Sequence, residues 1–114
     1  MPSLTRDEIL NSSDASESLQ EVAVPEWGGS VFVRVMSGSQ RDRFEAAFTK
    51  DPGNNLRARM ASYVIADENG KPIFTEADIV GLGEKSASAL SRVFDVAVKV
   101  NALTPADVGT AEKN

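Results

Sequence analysis

The chain has 114 residues, with 12 Lys and Arg against 17 Asp and Glu and a formal net charge of −5. This length predicts one domain with a modest core, and the acidic balance argues against a nucleic-acid-binding protein, whose affinity rests on clustered Lys and Arg. Cys and His are both absent, which excludes disulfides, the common zinc sites, thiolate nucleophiles and His-centred catalytic relays.

The first predicted element is a short helix that begins at Thr5. Residues 5–8 have the S/T-x-x-E form of a capping box, in which a hydroxyl and a carboxylate satisfy free backbone N–H groups. Residues 11–18 are rich in Ser, Asp and Asn, whose short polar side chains compete for backbone hydrogen bonds and favour turns. A flexible polar connector is therefore expected after the helix.

Alternating apolar residues predict an antiparallel β-hairpin next in the chain. The two strands, residues 19–24 and 31–36, carry valines at every second position, which places those side chains on one face. Between the strands, Pro25 lacks a backbone donor, and Gly28-Gly29 permit the positive φ that a chain reversal needs. Such a hairpin is marginal by itself, so it must pack against helices or against another copy.

Apolar residues at helical spacing predict four helices after the hairpin. The first runs from residue 41 to about residue 50 behind an N-cap within residues 37–40, the third begins at its cap Thr75, and the last covers residues 86–101. The last of these helices has the clearest apolar stripe: Leu90, Val93, Phe94, Ala97 and Val100.

The second of these helices has a competing interpretation. Its apolar stripe predicts a helix over about residues 55–67. Asn69-Gly70 is also a strong hairpin turn, so residues 63–65 and 73–74 could instead pair as two strands. The length of the stripe favours a helix followed by a turn, and the hairpin remains the alternative.

These elements predict one α+β domain over residues 1–114, mainly helical, in which an N-terminal β-hairpin packs with about four helices. Its parts are a short helix and connector at 1–18, the hairpin at 19–36, a helical part at 37–103 and a frayed tail at 104–114. The sequence shows neither the apolar core of a signal peptide nor a run of about 20 apolar residues that could span a membrane. We expect a soluble protein that stays where it is made and contacts no membrane.

Residues 81–86, GLGEKS, resemble a phosphate-binding loop. A true loop has the form G-x-x-x-x-G-K-S/T after a buried strand, so that backbone N–H groups and the Lys meet the phosphates. Here Glu84 separates Gly83 from Lys85 and places a negative charge at the phosphate position. We therefore favour a turn between helices with Ser86 as the N-cap, and nucleotide binding is the weaker alternative.

The carboxylates likewise form no predicted active site. A calcium loop is excluded because, counted from Asp67, glycine falls at the fourth position and not at the sixth. The acidic pairs at residues 7–8, 67–68 and 76/78 lie in helix starts or turns, where solvation and capping explain them. We expect a protein that is not an enzyme and that binds no metal or cofactor.

Five residues are candidates for partner binding. Trp27 lies at the hairpin tip, where it either packs back onto the core, which is favoured, or faces a partner, as tryptophans at binding hot spots do. Arg41 and Arg43 are positively charged side chains on an acidic chain, and such residues could bind a partner, although they more often form a solvated helix face. Thr104-Pro105 begins a final turn, because Pro suits the first position of a helix.

Four motifs carry a resemblance to a known family. They read V-x-V-P-E-W-G-G-S-V-x-V-R at residues 22–34, N-L-R-A-R at 55–59, D-E-N-G-K-P-I-F at 67–74 and L-G-E-K-S-A-x-A-L-x-R-V-F-D at 82–95. With these motifs, roughly residues 4–101 resemble the phage tail assembly chaperones of long-tailed phages and prophages. The motifs are structural and contain no catalytic pattern.

The resemblance implies a small, acidic, multimerising helper. Proteins of this family coat the helical tape-measure protein, keep it soluble and give way to tail-tube subunits, and many have a longer form made by a −1 frameshift whose extension contacts the tail-tube protein. The expected partners are therefore the tape-measure protein, the tail-tube protein and further copies of the chain, without nucleic acid. The expected location is the host bacterial cytoplasm and not the mature virion.

The C-terminal residues agree with a frameshift. Glu112-Lys113-Asn114 can be encoded GAA AAA AAC, which contains A-AAA-AAC, a sequence on which paired tRNAs can slip back by one base. A different class stays open beside the chaperone, namely a structural tail-completion or head–tail connector subunit. That alternative predicts the protein in purified virions at ring stoichiometry, whereas a chaperone is absent from finished particles.

Overall fold

The structure, a computed structural model, describes residues 2–14, 19–50 and 55–101. In chain order its helices and strands are α1 (Arg6–Leu10), β1 (Gln20–Val24), β2 (Gly29–Val33), α2 (Gly38–Lys50), α3 (Leu56–Val64), β3 (Ile65–Ala66), α4 (Ile79–Gly83) and α5 (Ala87–Val100). One-turn 3-10 helices lie at Pro25–Trp27 and Glu76–Asp78. The predicted α+β class, mainly helical with an N-terminal hairpin, is confirmed. The assignment of all 114 residues to one domain stays a prediction, and its tail at 104–114 lies outside the described residues.

The hairpin forms at the predicted place. β1 and β2 are antiparallel, with Val22 opposite Val31, and the buried residues of β1 alternate as its valines predict. The 3-10 turn between them ends at Gly28, whose φ of 76° lies in the left-handed region that glycine adopts without strain. β2 ends at Val33 and not near residue 36, because Val33 already pairs with Gln20, the first residue of β1.

The predicted helix over 55–67 is too long, and a third strand, which only the hairpin alternative included, takes its last part. α3 ends at Val64, and β3 continues the chain alongside the free edge of β2, with Ile65 opposite Val33. The Val64 carbonyl accepts a hydrogen bond from the Arg34 N–H at 2.9 Å. The unpaired β2 edge offers backbone hydrogen bonds that a helix cannot use, and β-branched residues suit a strand.

The turn at Asn69-Gly70 combines both interpretations of this segment. A helix precedes it, as favoured, but the turn also folds the chain back as the hairpin alternative required. Gly70 has a φ of 84°, and a single β-bridge joins Ala66 to Pro72. The resulting connection is a helix, a two-residue strand and a tight turn.

The core lies between the sheet and the two helices α3 and α5. Seven of the nine residues of α3 are buried, so this helix is central. α5 contributes one face, in agreement with the predicted stripe except that Val100 is only partly buried. The buried residues of α5 are Ala89, Leu90, Val93, Phe94 and Ala97. Among the described residues, no helix is long and apolar enough to cross a membrane.

A groove beside the hairpin tip

An open, largely apolar groove of about 640 Å³ lies where the hairpin tip meets the second 3-10 helix and α4. This volume is within the range of ordinary ligand sites. The groove is lined by Trp27, Phe74, Ala77, Asp78, Gly81, Leu82 and Lys85. Five of these seven side chains are apolar or absent, so the groove suits an apolar side-chain cluster of a partner.

Trp27 is both a core residue and a groove residue. Its ring is half-buried against the hydrophobic core, as the favoured interpretation expected, and it also forms one wall of the groove. The turn that carries it is tied to α5 through Glu26. The Glu26 carboxylate accepts hydrogen bonds from the Ser88 hydroxyl at 2.8 Å and from Arg92 Nε at 2.9 Å. This connection holds the tryptophan in a defined place.

The same contacts affect the acidity of Glu26. A hydrogen bond from its own backbone N–H, followed by those from Ser88 and Arg92, holds the pKa of the Glu26 carboxyl below its ordinary value. The carboxylate is therefore ionised at neutral pH, when it can bind the Arg92 guanidinium.

The opposite wall is positioned by a helix cap. The Thr75 N–H donates to Asp78 Oδ2 at 2.8 Å in a capping box, which starts the 3-10 helix that leads into α4. Leu82 forms the buried floor, while Ala77 and Gly81 are exposed and small, so the groove stays open. Asp78 uses its carboxylate in the cap, and Lys85 makes no ion pair with any described residue.

The two candidate arginines are paired within the chain. Arg43 Nε lies 2.6 Å from Glu76 Oε1, and Arg41 Nε lies 2.8 Å from Glu45 Oε1. Arg43 is thereby joined to the 3-10 helix that forms part of the groove, but neither arginine lines it. Thr104 and Pro105 lie outside the described residues. Of the five candidates, Trp27 alone lines the groove among the residues that the structure describes.

The other groove residues were not predicted to bind a partner protein. Phe74, Leu82 and Lys85 lie within the family motifs, but no local pattern shows that a hairpin tip will lie beside them. The expected turn between helices is confirmed at residues 84–86, where the Ser86 hydroxyl accepts a hydrogen bond from the Ala89 N–H at 3.2 Å. In the described ranges no cluster of three or more acidic, His or Cys residues is placed to hold a metal ion.

The fold defines a small α+β protein, and its described residues form an open, largely apolar groove that suits an apolar partner. A family model described as phage tail assembly chaperone, TAC, matches residues 7–101. The chain therefore belongs to the phage tail assembly chaperone family. Membership indicates a non-enzymatic role in the host cell, outside the virion, with phage tail proteins as partners.

A solved structure supports the fold independently. The tail assembly chaperone of bacteriophage HK97 is similar with a TM-score of 0.64 and 22% sequence identity, over 82% of this chain and 90% of that chain. At this identity the likeness shows the fold alone. Comparison with curated proteins gave no significant match.

Proposed function

We propose that this chaperone binds the tape-measure protein of its phage in the groove beside Trp27, keeps it soluble and helps to recruit tail-tube subunits, without catalysis. The open apolar groove is the observation that carries the proposal. A tape-measure protein is a long helical chain with apolar stripes, which aggregate unless they are covered. Helix-in-groove binding covers such stripes, since the apolar face of the helix replaces water in the groove.

Charge supports the same role. Each copy carries a formal net charge of −5, so a tape-measure chain covered by many copies is kept dispersed by mutual repulsion. We accordingly propose that the chaperone acts as a homo-oligomer in the host cytoplasm. A clean monomer at tens of micromolar by light scattering would contradict the oligomer.

Co-expression with the tape-measure protein of the same phage tests the proposal. We expect most of the tape-measure protein in the soluble fraction, co-purifying with the tagged chaperone, because its apolar stripes are covered. An unrelated acidic protein of similar size is the control, and with it the tape-measure protein should precipitate. Equal precipitation with both proteins, or no co-purification, would contradict the proposed function.

We further propose that tail-tube recruitment uses a longer, frameshifted form. The native gene with its downstream DNA, tagged at the N-terminus, should give a minor larger product beside the main one. Synonymous recoding of Lys113-Asn114 should abolish the larger product, because it removes the slippery codons while the protein stays the same. A single product from the native gene would argue against the frameshift.

A further inference from the structure

α1 is an exposed helix: it has five residues, and none of them is buried. Its capping box is complete: the Thr5 N–H donates to Glu8 Oε1 at 2.9 Å, and the Glu8 N–H donates to Thr5 Oγ1 at 3.2 Å. Helices this short are marginal in water unless a packed face stabilises them. A surface that covers α1 would therefore stabilise it.

The side chains of α1 are suited to such a surface. Leu4 and Ile9 hold the two positions of a hydrophobic staple, before the cap and at the fourth residue of the helix, and Leu10 adjoins Ile9. These three side chains are 66%, 57% and 65% exposed. They form an apolar knob on a segment that enters no part of the described core.

Five large hydrophobic residues of the described ranges are exposed. Three of them are the residues of the knob just named. The other two are Ile73 and Val80, which directly precede the groove residues Phe74 and Gly81 in the chain. Each copy thus presents an exposed apolar knob and an open apolar groove.

We infer that α1 of one copy docks in the groove of a second copy. α1 does not line the groove of its own chain, and among the described residues its apolar side chains are exposed. One ion pair can form across the contact, because Asp7 is an exposed carboxylate beside the knob and Lys85 is a cation of the groove without an ion pair among the described residues. The other charged residue of the groove, Asp78, holds its carboxylate in the helix cap. Asp7 can exchange its exposed pairing with Arg6 at little cost.

The contact allows two types of assembly. Because knob and groove are different surfaces, two copies can exchange knobs in a closed two-fold dimer, or the contact can repeat head to tail from copy to copy. The inference rests on the homo-oligomer part of the proposed function and names the surfaces that form it. Because the tape-measure protein is proposed to use the same groove, its apolar segments would compete with α1, and the assembly would shield the groove until a segment arrives.

Engineered cysteines test the contact directly, since the chain has no native cysteine. Differently tagged full-length Ile9→Cys and Ala77→Cys chains are mixed and mildly oxidised. We expect the mixed disulfide between Ile9→Cys and Ala77→Cys to be at least fivefold more abundant than the one between Ile9→Cys and Ala46→Cys. The reason is that a disulfide requires Cα atoms within about 7 Å. Ala46 is the matched control, an exposed alanine on α2 that does not line the groove.

Equal cross-linking of Ile9→Cys to both partners would overturn the inference. A chain carrying both Ile9→Cys and Ala77→Cys that closes only an internal disulfide would also overturn it, because α1 would then dock on its own chain.

A second variant measures the strength of the contact. Ile9→Asp should weaken self-association at least tenfold by light scattering, since it removes a buried apolar side chain from the interface. Ser12→Asp adds the same charge outside the knob and should leave self-association unchanged. Both residues are exposed, so neither change touches the core. If the Ile9→Asp chain assembles like the wild type, this inference fails while the proposed homo-oligomer stands; a monomeric wild type rejects both.

Discussion

Phe44→Ala is expected to lower the free energy of unfolding by about 3–5 kcal/mol, the usual cost of removing a buried phenylalanine. α2 has 13 residues, and Phe44, 1% exposed, is its only buried one. The helix is otherwise held by peripheral contacts such as the exposed ion pair between Arg43 and Glu76. A protein of this size has only about 5–15 kcal/mol of stability, so the loss is severe.

Urea denaturation followed by two probes measures this effect. Far-UV circular dichroism reports all helices, whereas fluorescence reports Trp27, the one tryptophan of the chain. We expect both midpoints to fall together, because α2 packs on the central helix α3. An early loss of helix signal with an unchanged Trp27 midpoint would contradict the prediction, because α2 would then be an independent appendage.

Phe48→Ala is the matched control on the same helix. Phe48 is half-buried and packs edge-to-face on Phe44, with ring centroids 4.4 Å apart. Its removal should cost about 1–2 kcal/mol, because less apolar surface returns to water. A larger loss of unfolding free energy for Phe48→Ala than for Phe44→Ala would contradict the prediction, because Phe48 would then be the main anchor of the helix.

Ala77→Arg is expected to weaken binding of the tape-measure protein at least tenfold. Ala77 is exposed and lines the groove, so a long cationic side chain there fills space that the partner's apolar side chains would occupy. Excluding even one leucine-sized side chain forfeits roughly 1.5–3 kcal/mol, which corresponds to a tenfold or greater loss of affinity. Because Ala77 is not a core residue, the fold should be unaffected.

Ala46→Arg makes the same substitution on the exposed face of α2 and should bind like the wild type. Co-purification of tape-measure protein with each variant, after thermal unfolding has shown both to be folded, measures the difference. Ile9→Asp provides a further comparison, because it leaves the groove intact and so should retain tape-measure binding. Equal binding by the Ala77→Arg and Ala46→Arg chains would exclude the groove as the tape-measure site.

The sequence by itself determined the features that depend on a few neighbouring residues. The capping box at Thr5, the hairpin turn that ends at Gly28 and the N-cap at Ser86 are all found as expected. In each case a residue satisfies backbone groups three positions away or adopts a φ that its own chemistry allows. The four motifs likewise indicate the chaperone family, because each is a short run of residues that needs no knowledge of how the chain packs.

Only the tertiary structure decided where these elements meet. β3 exists because a distant strand edge offers hydrogen bonds to residues that would otherwise extend α3. The groove forms between segments that are far apart in the sequence: Trp27 at the hairpin tip lies beside the second 3-10 helix and α4, and the same turn is tied through Glu26 to Ser88, 62 residues further along the chain. The exposure of α1 is likewise a tertiary property, because it depends on the core being formed by other elements. Contacts at such separation depend on how the whole chain packs, and no local pattern of side chains records them.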